Sequence, residues 1–222
     1  MAEAWEELGA SVGRATAVLA TFALAAALLL AGVHLATRDI IADAQRRAAH
    51  RTLLELFPPE THDNDPLGDV LPIPASYLST LGLKEPAKIH VVRRGDEVVG
   101  FIVPATAPDG YGGPIHLLVG IRVDGTLAGV RVLSHNETPG LGDKVELRKS
   151  RWILSFDGRS LGNPPLEQWA VVKDGGVFDQ FTGATITPRA VVNQVRKVLI
   201  FYREHRDELL RAAAAARGGR HG

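Results

Sequence analysis

Between Asp179 and Val191 the chain reads DQFTGATITPRAV, which sets three threonine hydroxyls (Thr182, Thr185, Thr187) around a Gly183-Ala184 pair and ahead of Pro188. Threonine is a good N-cap and proline is favoured at the first helical position, so Thr187-Pro188 predicts a helix start. The backbone N–H groups at such a start lack partners and the helix dipole is positive there, which suits a phosphate. Gly183 and Ala184 keep bulk away from the backbone, and Thr185 can present a hydroxyl beside the approaching group. The plainer alternative is a tight turn and a capped helix whose threonines satisfy local backbone. A Walker-type phosphate loop is excluded, because no G-x-x-x-x-G-K-[ST] string occurs.

Two further stretches have the composition of binding loops. GYGGPI, residues 110–115, combines glycines for close approach with a tyrosine ring. HNETPGLGDK, residues 135–144, places a proline and two glycines around Leu141. Such a loop can lie against a flat ring system, with N–H groups toward its polar edge and Leu141 on its face. Glycines that merely serve unusual dihedrals are the alternative for each. GRSLG, residues 158–162, matches a nucleophile elbow formally, but Asn163-Pro164-Pro165 follows at once and is poor helix entry. The eight histidines show no metal-ligand spacing, and the absence of cysteine removes thiol, disulfide and thiolate-cluster chemistry. Lysine plus arginine equals aspartate plus glutamate at 25 each, so no basic field points to nucleic acid.

The elements that must position these loops are legible as an α+β pattern. KIHVVRR and EVVGFIVPA flank Gly95-Asp96, and HLLVGIRV and LAGVRVLSH flank Asp124-Gly125, which predicts two hairpins and an antiparallel sheet of at least four strands. WAVVKDG, residues 169–175, could add another. PRAVVNQVRKVLIFYREH is helical by its stripe of Val191, Val195, Val198, Leu199 and Tyr202, and the alanine-rich tail from Ala212 is expected to fray. RDIIADAQRRAAHRTLLELF, residues 38–57, also has a helical pattern, followed by a loop from Pro58.

Residues 15–36 contain no Asp, Glu, Lys or Arg, and 22 residues at helical rise match the ~20 that cross a bilayer. A cleaved signal peptide would carry a basic leader and a shorter apolar run, whereas here Glu3, Glu6 and Glu7 precede the run. The expectation is an uncleaved anchor. Arg38, Arg46, Arg47 and Arg51 follow it, and by charge bias alone they would keep the C-terminal part in the cytoplasm.

The string Asp179 to Thr185, D-Q-F-T-G-A-T, resembles the flavinylation motif of the FMN-binding domain family. Together with HNETPGLGDK and GYGGPI, in the same order and after one span, it is similar to the G subunit of Rnf-type electron-transport complexes; the C subunit of the sodium-pumping NADH:quinone reductase is a sibling. The resemblance covers essentially the whole chain. It implies FMN joined by a flavin transferase through a phosphoester to Thr185, with Asp179, Thr182, Gly183 and Ala184 completing the recognised string. It also implies flavin contacts from Glu137, Thr138, Gly140, Leu141, Gly142, Tyr111 and Gly112, and Lys173 is a further candidate. The implied organisation is a cytoplasmic N-terminus (1–14), a transmembrane helix (15–36), a helical linker and loop (37–85), the FMN-binding domain (86–208) and a C-terminal tail (209–222).

The implied role is one electron relay between ferredoxin and NAD, coupled to Na⁺ or H⁺ transport. It lies within a complex of membrane and peripheral subunits in the bacterial inner membrane and has no complete active site of its own. Partners are those subunits and membrane lipid, not nucleic acid. Against the arginine count, the resemblance puts the FMN domain on the periplasmic side. The residues alone also leave open a tethered assembly module without flavin, or a free-standing flavin reductase.

Overall fold

The computed structural model describes residues 16, 19–34, 36, 37 and 50–218. The chain divides into two compact units, Met1–Ala48 and Ala49–Gly222. In the first, residues 19–34 are helical and present exposed apolar side chains such as Phe22, Leu28 and Leu29. The expected span at 15–36 lies partly outside the described residues. Among those described, no helix is long and apolar enough to cross a membrane. Of the predicted 38–57 helix, 38–49 fall outside the described residues and 50–56 are helical.

The second unit is an α+β domain built on a five-stranded antiparallel meander in the order β1 (Val70–Pro72), β2 (Lys88–Arg94), β3 (Glu97–Ala107), β4 (Ile115–Arg122) and β5 (Leu127–Ser134). Four strands and both hairpin turns fall where the alternation and the Gly-Asp and Asp-Gly pairs put them. The fifth strand corrects the sequence reading. It is not 169–175, which follows a 3-10 turn at Leu166–Gln168 and itself holds another at Val172–Asp174, but Val70–Pro72, within the loop region. Trp169 explains the difference. Its buried indole N–H donates to the carbonyls of Ser160 and Pro164, at 3.0 and 3.2 Å, and its ring packs on Phe156 and Phe178. That commits the segment to an aromatic cluster instead of a ladder.

Both faces of the sheet are covered. Val91, Phe101, Val103, Leu117 and Val119 face the larger core, which includes the C-terminal helix, Ile186–Gly218. Val92, Ile102 and Leu118 face the other way, onto Leu53, Leu56 and Phe57. The opposite orientation of neighbouring side chains is the period-2 consequence of the pleat. The predicted stripe on the C-terminal helix is buried as expected. The expected fraying from Ala212 is not observed: the helix continues to Gly218, Leu209 and Ala213 are buried, and Arg93 donates to the Ala213 carbonyl at 2.7 Å. A guanidinium held by Asp69 at 2.6 Å thus fastens the last turns to β2.

Candidate functional site

At one end of the β4–β5 hairpin, three segments close around a cavity of about 300 Å³. The first is the loop from β3 to β4, which contributes Tyr111. The second follows β5 and contributes Glu137, Thr138, Leu141 and Gly142. The third is the threonine-rich loop with the first turn of the C-terminal helix, residues 183–187.

The threonine loop has a definite local geometry. The Ala184 N–H donates to the Phe181 carbonyl at 3.0 Å, closing a four-residue turn. Gly183 has φ +81, the value a type II turn requires at its third residue and a side chain resists. The turn is fixed from below: Phe181 is buried against Trp152 with ring centroids 5.1 Å apart, and the Trp152 indole N–H donates to the Asp179 carbonyl at 2.8 Å.

The helix starts one residue pair earlier than Thr187-Pro188 suggests. It begins at Ile186, and the Thr185 carbonyl accepts the first helical bond, from the Arg189 N–H at 3.3 Å. Thr185 therefore occupies the cap position and Thr187 lies inside the first turn. Proline is tolerated here because the third N–H of a helix has no internal acceptor in any case. Among the described residues, the N–H groups of Thr185, Ile186 and Thr187 and the Thr185 hydroxyl find no protein partner.

The three threonines are now distinguishable. Thr182 is exposed at the turn and does not line the cavity. Thr187 is fully buried, and its hydroxyl donates to Glu137 Oε2. Thr185 lines the cavity with its hydroxyl free.

Glu137 joins the three segments. It is buried, and its Oε1 accepts the Gly112 N–H at 2.9 Å while Oε2 accepts Thr187. Its own N–H donates to His135 Nδ1 at 3.0 Å, and His135 Nε2 lies 2.8 Å from Glu146 Oε1. Because Nδ1 is the acceptor, the proton is assigned to Nε2, which donates to Glu146. Burial pushes the Glu146 carboxyl up, but the hydrogen bonds from His135 and Arg148 outweigh it and hold the group below its usual range. Gly142 leaves room for this junction: a Cβ there would stand 2.7 Å from Glu137 Oε2 and 2.8 Å from Thr187 Oγ1.

The glycine-rich loop after β5 departs from expectation in one respect. The N–H groups of Leu141, Gly142 and Asp143 all turn onto the Thr138 carbonyl, at 3.1, 3.1 and 3.4 Å. A tight turn satisfies them internally, so these three do not serve a ligand's polar edge. The exposed side chains of Leu141, Tyr111 and Ile186 supply apolar surface around the cavity instead.

Residues 110–200 match the FMN-binding domain family and residues 1–56 match the RnfG N-terminal region family. Among curated proteins, the G subunit of the ion-translocating oxidoreductase complex of Pseudomonas aeruginosa strain UCBPP-PA14 is 50% identical over 206 residues, covering 93% of this chain and 95% of the relative. The chain belongs to the family of ion-translocating oxidoreductase complex G subunits. The G subunit of Shewanella amazonensis is 45% identical over 184 residues, 83% of this chain and 85% of its own length. That of Aliivibrio fischeri strain MJ11 is 43% identical over 197 residues, 89% and 93%.

In this member of the family the cavity gathers Thr185, Gly183, Ala184, Glu137, Thr138, Leu141, Gly142 and Tyr111 from the sequence-derived candidates. Gly112 stands behind them as the donor to Glu137. Asp179, Thr182, Gly140 and Lys173 do not line it. Lys173 is exposed in the Val172–Asp174 turn, where its N–H bonds the Gln180 side chain at 3.2 Å. Ile186 and the Thr187 side chain complete the lining and are absent from the sequence-derived ligand set. Both follow the motif string, and it is the helix start at Ile186 that brings them to the cavity.

A second cavity, of about 230 Å³, lies at the far end of the same hairpin between the Asp124-Gly125 turn, Ser160–Gly162 and the Tyr202–Arg206 stretch of the helix. It contains the end of the GRSLG string, and Ser160 Oγ accepts the Gly162 N–H at 3.3 Å.

Proposed function

We propose that this chain is an electron-relay subunit of a membrane-bound ion-translocating oxidoreductase complex, carrying FMN esterified through its phosphate to Thr185. The observation that carries the reading is the sorting of three neighbouring hydroxyls: one faces solvent, one is consumed by Glu137, and Thr185 alone stands free on the cavity at a helix N-terminus. The residues fit the group. Unpaired N–H groups and a positive helix end suit the phosphate. Leu141, Tyr111 and Ile186 give flat apolar contact, and the volume is at the small end of the roughly 300–1,000 Å³ of ligand pockets, which leaves part of a flavin uncovered for a redox partner.

Attachment balances as an alcoholysis of FAD. The Thr185 Oγ–P bond forms, the pyrophosphate bond of FAD breaks, AMP departs, and the hydroxyl proton is released. The reaction belongs to a separate flavin transferase, since none of the cavity residues forms a nucleophile–base pair with Thr185. Bound FMN supplies one- and two-electron redox chemistry. This chain's residues hold it, shield one side from water, and keep the tether short. The apolar, charge-free run at 15–36 supports a membrane anchor, and the family supports other subunits of the complex as partners; a periplasmic FMN domain is our reading from the resemblance of the motifs.

The test is fluorescence of the chain under ultraviolet light after denaturing electrophoresis, with intact mass. Protein from its native membrane should carry one FMN, mapped to the peptide holding Thr185. A bare polypeptide, or flavin on another peptide, would sink the reading.

A further inference from the structure

The wall of the cavity holds a carboxylate that the attachment chemistry does not use. Glu137 is buried, lines the cavity, and accepts one hydrogen bond on each oxygen, from the Gly112 N–H and the Thr187 hydroxyl. Among the described residues its carboxylate forms no ion pair. His135, two residues before it, accepts from its backbone N–H and directs its own proton away, to Glu146. A fixed negative charge with two neutral donors and no counter-cation is therefore set against whatever occupies the cavity.

The geometry points to Glu137 as a redox-tuning residue and Thr187 as the residue that positions and partly neutralises it. This rests on the cavity being the flavin site. Adding electrons to a ring beside a carboxylate places like charges together in a medium of low dielectric, so the carboxylate disfavours reduction and lowers the midpoint potential. The Thr187 hydroxyl dipole offsets part of that charge. A relay gains from this arrangement because a lowered potential lets the reduced ring pass its electrons on.

The two partners of one hydrogen bond can be altered separately. In Glu137→Gln the amide oxygen still accepts from Gly112, and the amide N–H can donate to the Thr187 hydroxyl. The loops stay joined and only the charge is lost. In Thr187→Val the charge stays and its donor is lost. Full-length protein produced with its flavin transferase would be titrated by spectroelectrochemistry, after the fluorescent band confirms attachment. Glu137→Gln should raise the reduced-to-oxidised ratio about tenfold at the wild-type midpoint, the scale expected of a unit charge about a ring's width away, or close to 30 mV for a two-electron couple. Thr187→Val should move the ratio the opposite way by a smaller factor.

Loosening of the loops would shift both variants in one direction, so shifts of the same sign overturn the proposal, as does an unchanged potential in Glu137→Gln. If Glu137→Gln does not fold or accept flavin, Thr187→Val alone decides, and an unchanged or raised potential refutes the assignment. A wild-type chain without the fluorescent band fails the flavin reading itself, and this proposal with it.

Discussion

The two cavities sit at opposite ends of the β4–β5 hairpin, whose strands are each eight residues long, and they differ less in size than in what their polar groups are doing. Around the second, Tyr202 and Arg206 both donate to the Val123 carbonyl, at 3.1 and 2.8 Å. The Asp124 carboxylate accepts both the N–H and the hydroxyl of Thr126, at 2.8 and 2.7 Å. These groups are occupied with the protein itself. Around the first cavity, the Thr185 hydroxyl and three consecutive N–H groups find no partner among the described residues, and apolar side chains stand exposed. Concavity alone does not make a site; unspent hydrogen-bonding capacity next to apolar surface does.

The sharpest way to break this contrast is Thr185→Val, which removes the free hydroxyl and little volume. It should abolish covalent flavin completely while the Tm of the unmodified chain stays within a few degrees. A fluorescent band that survives on the denaturing gel would place the tether elsewhere. Next in size is Gly142→Ala. Its new methyl group meets Glu137 Oε2 and Thr187 Oγ1 below 3 Å, so it should cost about 1–3 kcal/mol as an overpacked site, roughly 2–10 °C in Tm for a domain of this size. It should also lower flavin loading, and an unperturbed melting curve with full loading would show that the junction has slack.

At the other cavity, Tyr202→Phe should cost about 1 kcal/mol for one hydrogen bond and leave flavin content unchanged. Reduced flavin content in that variant would mean that the two ends of the hairpin are coupled. The smallest expected effect is on titration. The Thr126 side chain, then its backbone N–H, hold the Asp124 carboxyl below its usual range. A depressed carboxyl adds stability that is present above its unfolded value and is lost as pH falls through its folded value. Thr126→Val should move the Asp124 carboxyl back toward its ordinary range, read by carbon NMR of the side chain, with no change in flavin.

How much of this was legible depends on range. Strands β2 to β5 were readable because each carries enough alternating residues and a Gly-Asp or Asp-Gly turn to declare itself locally. Strand β1 was not, since three residues ending in a proline make no period; it exists because Leu71 pairs with Ile89 in a distant strand. Trp169 and Val171 are apolar and buried like strand residues, but an aromatic cluster claims them. Ala213 looked like part of a frayed tail because alanine says nothing about burial, and only the approach of Arg93 from β2 fixes it.

The same division runs through the site. The sequence by itself determined the loop chemistry: small residues and hydroxyls ahead of a helix, a proline-glycine loop, a tyrosine among glycines, and the family to which their order belongs. The motif order already pointed to Thr185, and tertiary structure supplied the physical reason that its hydroxyl is available. That reason is Glu137, fifty residues away in the chain, whose carboxylate takes the Thr187 hydroxyl and leaves Thr185 free. A hydrogen bond between distant segments has no local signature, because its energy depends on a distance that only the folded sheet and helix set.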